Sequence, residues 1–79
     1  MCGILGIAAP LGREPSVTDA QAVRLRDLMS HRGPDGAGLL RERNIILAHR
    51  RLAVLDLSDA GAQPMTTPDG RHSLVYNGE

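Results

Sequence analysis

Only one aromatic side chain, Tyr76, occurs among 79 residues, and that scarcity limits the core this chain can build. Aromatic rings supply the largest buried areas in small domains. A chain of this length buries only about 60% of its unfolded surface and usually draws on disulfides, a metal or unusually good packing. The lone Cys2 cannot form an internal disulfide. The composition, 42% hydrophobic and 23% charged, is nevertheless that of an ordinary folded protein. The expectation is a portion of a larger domain, its core completed elsewhere.

Charge excludes several partner classes. Nine arginines, with no lysine, balance nine acidic residues to a net charge of zero. Nucleic acid and anionic membranes attract proteins through an excess of positive charge, which is absent here. The pair Arg50-Arg51 lacks the interleaved aromatics that stack on bases, so a nucleic-acid partner is not expected. The apolar start from Met1 to Ala9 has no positive n-region and is far too short to span a membrane. With one cysteine and no secretory segment, a reducing, cytoplasmic compartment is expected.

Hydrophobic patterning sketches the elements. The apolar run Gly3 to Ala9, bounded by Pro10 and Gly12, predicts a buried strand. Thr18 followed by Gln21 is a capping-box signal, and Val23, Leu25, Leu28 and Met29 predict a helix from about Asp19 to about His31. Gly33-Pro34-Asp35-Gly36 stops it, with glycines allowing backbone angles that other residues resist. Leu39-Leu40 and Ile45 to Ala48 read as a hairpin turning at Asn44, its second arm running on to Asp56. Pro68-Asp69-Gly70 predicts a turn before a strand from His72 to Tyr76. No repeat, low-complexity tract or second domain is visible.

The most informative residue is Cys2. Removal of an initiator Met before a small residue would leave one residue bearing both a thiol and a free α-amine. Such an amine has a pKa of about 7.7 to 8.0, so it can accept the thiol proton directly or through a water. Taken alone, Cys2 also reads as a small hydrophobe packed beside Ile4. Asn77-Gly78 alone reads as a hairpin turn, and an isolated Arg or Glu as a solvated charge. His31, His49 and His72 do not have the short spacings of a zinc site, so no metal is expected.

The segments Cys2-Gly3-Ile4, His31-Arg32-Gly33-Pro34-Asp35-Gly36, His49-Arg50-Arg51-Leu52 with Asp56, and Asn77-Gly78-Glu79 occur in the order seen in class II glutamine amidotransferases. The chain resembles that family from Cys2 to Glu79, and Pro34-Asp35 favours its asparagine synthetase branch. The resemblance implies an α+β fold, the N-terminal part of a four-layer αββα sandwich of the N-terminal-nucleophile hydrolase type, with the rest of the domain and a synthetase domain outside residues 2–79.

It also implies roles. Cys2 would attack the side-chain amide of glutamine, releasing ammonia and then glutamate through a thioester. Asn77 and the Gly78 N–H would stabilise the oxyanion. Arg51, and not Arg50, would grip the substrate carboxylate, and Glu79 its ammonium. Main-chain groups of Leu52, Ala53, Val54 and Leu55 would complete the pocket. No histidine is the base; His31 and His49 would organise loops near the site, and His72 carries no motif. Ammonia would serve an ATP- and Mg2+-dependent conversion of aspartate to asparagine in the synthetase domain; these 79 residues alone are expected to need no cofactor and to be inactive, and the resemblance allows a homodimer. Two alternatives stay open: a class II amidotransferase with another acceptor, and an inactive, truncated interaction module.

Overall fold

The computed structural model describes residues 2–54 and 58–77. Three antiparallel strands form the main sheet: β1 (Gly3–Ala8), β2 (Gly36–Glu42) and β3 (Ile45–Arg51), in the order β1-β3-β2. The apolar run Ile45 to Ala48 thus becomes the central strand, and Ile46 and Ala48 are fully buried. The first strand, expected to be buried, instead lies beside β3 with one face open, and Ile4 remains 46% exposed. Its apolar composition is satisfied on one side only. Gly3, Leu5 and Ile7 lie opposite Arg50, Ala48 and Ile46, on the face that carries the helix.

That helix, α1 (Asp19–Asp27), starts as the sequence predicts: the Thr18 hydroxyl accepts from the Gln21 N–H, and the Gln21 side chain accepts from the Thr18 N–H. It stops four residues short of His31. Met29, Ser30 and Arg32 donate to carbonyls three residues back, and the Ser30 hydroxyl adds a bond to the Asp27 carbonyl, so the chain tightens into turns. The buried side is also rotated from the predicted one. Ala22 is fully buried and Met29 packs against Gly3, whereas Leu28 is 73% exposed.

The hairpin is longer on its first arm than expected, beginning at Gly36, and shorter on its second, ending at Arg51. Leu55 and Asp56, on the predicted extension, lie outside the described residues. At the two-residue turn the left-handed angle falls on Arg43 (φ 50°). Asn44 instead ties the end of β1 to the turn. Its amide donates to the Ala9 carbonyl at 2.9 Å, and its own carbonyl accepts from the Ala9 N–H at 2.8 Å.

Strands β4 (Met65–Thr66) and β5 (Ser73–Leu74) form a second, two-stranded sheet across a turn in which Gly70 takes φ 73°. The predicted strand from His72 to Tyr76 is cut to two residues because the Tyr76 N–H and C=O turn to side chains and not to a neighbouring strand. The result is a small α+β arrangement of antiparallel strands with one helix on one face of the main sheet. Among the described residues no helix is long and apolar enough to cross a membrane.

Candidate functional site

Cys2 precedes β1 and is 4% exposed. Because Gly3 pairs with Arg50, the antiparallel register delivers Cys2 to the end of β3, where the chain leaves the strand. There the Leu52 N–H points at Cys2 Sγ from 3.4 Å, and the Leu52 carbonyl lies 3.9 Å from the same sulfur. Both main-chain polar groups of Leu52 therefore face the sulfur. The Cys2 carbonyl accepts from Arg32 Nε at 3.1 Å, so the loop after α1 also holds the residue from behind.

The Gly33-Pro34-Asp35-Gly36 segment is built around this junction. Neither Gly33 nor Gly36 takes a left-handed angle, contrary to the sequence expectation. Gly33 is required by proximity: a Cβ there would run into the Arg50 carbonyl and lie 2.6 Å from the Arg51 nitrogen. Arg50 Nε donates to the Gly33 carbonyl at 2.9 Å while its Nη1 reaches Asp27 at 3.2 Å. Asp27 also accepts from Arg26 Nε, and that hydrogen bond is the main reason its carboxyl sits below the usual range.

Asp35 straps the far side. Its N–H donates to the Arg51 carbonyl at 2.9 Å and its Oδ2 accepts from the Ala53 N–H at 2.8 Å, on either side of Leu52. The sequence marked Asp35 only as a family discriminator, and its contact eighteen residues away has no local signal. Arg51 itself is half-buried, with Nη1 donating to the Ser58 carbonyl at 2.6 Å and the guanidinium lying over Gly61. Ala53 is half-buried and Val54 exposed beside it, so four of the predicted pocket residues form one run, with Arg51 closing β3 and Leu52 to Val54 following it.

Asn77 is exposed at the end of the described chain, and Gly78, Glu79 and Leu55 lie outside the described residues. Asn77 follows directly on Tyr76, whose carbonyl accepts from His49 Nε2 at 3.2 Å. His49 is 1% exposed; burial first, and then the charge of Arg51, hold its imidazole below the ordinary value of 6.5 despite the opposing Tyr76 hydrogen bond. The Tyr76 N–H donates to Gln63 Oε1 at 2.7 Å. His31, by contrast, is exposed on the turns after α1. An open cleft of about 780 Å³ between the hairpin tip at Arg43 and the Gly70-Arg71 turn contains none of the predicted site residues. It lies along the sheet face not covered by α1.

A glutamine amidotransferase domain model matches residues 1–79. The chain belongs to the glutamine amidotransferase domain family. Similar proteins include asparagine synthetase B [glutamine-hydrolyzing] of Escherichia coli, 40% identical over 79 residues, and a probable asparagine synthetase [glutamine-hydrolyzing] of Dictyostelium discoideum, 42% identical over 79 residues. Asparagine synthetase [glutamine-hydrolyzing] 1 of Saccharomyces cerevisiae is 38% identical over the same length. Each match covers 100% of this chain but only 13% to 14% of the relative. No solved structure gives a significant match.

Proposed function

We propose that this chain carries the nucleophile and the substrate-binding strand of a glutaminase. With Met1 removed, the α-amine of Cys2 takes the thiol proton, and the thiolate attacks the amide carbon of glutamine. The tetrahedral oxyanion is held by the Asn77 side chain and the Gly78 N–H. On its collapse the C–N bond breaks, the proton returns to the leaving nitrogen, and ammonia departs. Water then cleaves the thioester to glutamate and restores the thiol.

Arg51 pairs with the substrate carboxylate through its planar fork, and Glu79 with the ammonium. Main-chain groups of Leu52 to Leu55 line the remainder. The observation that carries this reading is the buried Cys2 sulfur set 3.4 Å from the Leu52 N–H, one residue beyond Arg51.

The finer architecture is part of the proposal. The sheet face opposite α1 presents Ile4 and Ile45, 46% and 42% exposed, as a second sheet of a four-layer αββα sandwich would require. In the whole protein, cytoplasmic in this reading, the released ammonia is passed to a synthetase domain that uses ATP and Mg2+ to convert aspartate to asparagine. The names and lengths of the relatives support that acceptor.

The test uses the full-length protein and an electrophilic glutamine analogue. The expected result is a mass increase mapped to a Cys2 that has lost Met1, with glutamine turnover abolished in Cys2→Ala and ammonia-dependent asparagine formation retained. Undiminished glutamine turnover by Cys2→Ala would overturn the assignment.

A further inference from the structure

We infer that His49 and Gln63 are positioning residues that clamp the Tyr76 peptide groups and thereby aim Asn77 at the developing oxyanion. This rests on the glutaminase reading above. His49 sits on β3 two residues before Arg51, and its Nε2 lies 3.2 Å from the Tyr76 carbonyl. A carbonyl only accepts, so the imidazole must carry its proton on Nε2. Its Nδ1 is buried with no hydrogen-bond partner among the described residues. Gln63 is 7% exposed, and its Oε1 takes the Tyr76 N–H at 2.7 Å.

Both main-chain polar groups of the residue before Asn77 are therefore held by buried side chains from separate segments. Two further features belong to the same arrangement. Gly38 is the partner of His49 across the β2–β3 ladder, and a Cβ there would collide with the Gln63 carbonyl and touch Pro64. The absence of a side chain at this register position is what lets Gln63 come down onto the sheet. The clamp also ends the β5 strand early, which leaves Asn77 outside any ladder and able to present its amide to a ligand.

Oxyanion donors act only if they are fixed before the charge develops, and a misplacement of about 1 Å can cost roughly 100-fold in rate. Arg51 lies on β3 while Asn77 lies at the end of another segment. The clamp sets the spacing between the strand that would bind the carboxylate and the group that would bind the oxyanion.

The experiment compares His49→Phe and Gln63→Met with His49→Gln, which keeps a donor, in the full-length protein. Glutamine turnover is measured together with inhibition by an aldehyde analogue of glutamine, which adds to the Cys2 thiol to give a tetrahedral oxyanion. Alkylation of Cys2 by iodoacetamide reports whether the nucleophile's own surroundings survive. The expected result is a fall in kcat of about 10- to 100-fold with KM within about twofold, an equal loss of aldehyde affinity, and unchanged alkylation. His49→Gln should recover most of the loss. The double variant should lose less than the product of the two singles, because both act on one peptide.

Unchanged kcat in both single variants, or a loss shared equally by kcat, KM and alkylation, would overturn the clamp. Should either variant fail to fold, His49→Gln carries the same test: turnover and aldehyde affinity close to those of the parent support the clamp, and a loss as large as that of an unfolded variant overturns it. A parent protein that does not hydrolyse glutamine at all would instead remove the glutaminase reading.

Discussion

Replacing Gly33 by alanine should disable glutamine hydrolysis, while the same change three residues later should not. A Cβ on Gly33 would enter the Arg50 carbonyl and stand 2.6 Å from the Arg51 nitrogen, where ordinary contact begins at 3.4 Å. The obstacle is the backbone of β3, held by hydrogen-bonded strands on both sides, so the loop must retreat by about 1 Å. Three contacts tie that loop down: Arg50 Nε to the Gly33 carbonyl at 2.9 Å, the Asp35 N–H to the Arg51 carbonyl at 2.9 Å, and the Ala53 N–H to Asp35 Oδ2 at 2.8 Å. A retreat of that size takes the two contacts made by Asp35 beyond hydrogen-bonding range, while the long Arg50 side chain can follow Gly33. With roughly 1 kcal/mol for a neutral bond and about 1.5 for a charged one near solvent, losing two costs about 2 to 3 kcal/mol of local stability.

Hydrogen exchange of the Ala53 amide in the full-length protein should then quicken roughly 30- to 150-fold, and glutamine kcat/KM should fall on the order of 100-fold. Gly36 provides the control. A Cβ there meets the Arg51 Cβ at 3.5 Å, an ordinary contact, so Gly36→Ala should stay within about threefold of the parent. Equal effects from the two substitutions, or a harmless Gly33→Ala, would show that the loop's approach to β3 does not govern the site.

Arg51→Ala should raise the glutamine KM at least about tenfold with a smaller change in kcat, since it removes a ground-state carboxylate partner and leaves the nucleophile in place; an unchanged KM would contradict the role. The folded pKa of His49 lies below its ordinary 6.5, so the unfolded chain binds the extra proton between those two values. Stability from this group is complete above 6.5 and is lost as pH falls through that window; His49→Phe should flatten the slope, and an unaltered slope in denaturation series across pH 5 to 7 would assign it elsewhere. Thr18→Ala should cost about 1 kcal/mol by removing the hydroxyl that accepts from the Gln21 N–H, measured as faster exchange of the first helical amides, and no change would mean the cap is dispensable.

Local chemistry determined much of this protein directly from its sequence. The capping box at Thr18 and Gln21, the turn at Pro68 to Gly70 and the apolar run of β3 need only neighbouring residues, so each is visible in the chain itself. The ordered motifs from Cys2 to Asn77-Gly78-Glu79 likewise identified the family, because motif order survives without coordinates. Tertiary packing alone decided the rest. Which helix positions face the sheet depended on Met29 meeting Gly3, and the early end of β5 on two side chains competing for the Tyr76 peptide groups. Gly33 looked like a conformational glycine and proved to be a spacing glycine, for its constraint comes from a backbone seventeen residues away. Contacts such as Asp35 to Ala53, or Cys2 to Leu52 across fifty residues, leave no periodicity or local composition to read. They exist only when the registers of β1 and β2 on β3 have brought Cys2 and Asp35 to the end of that strand.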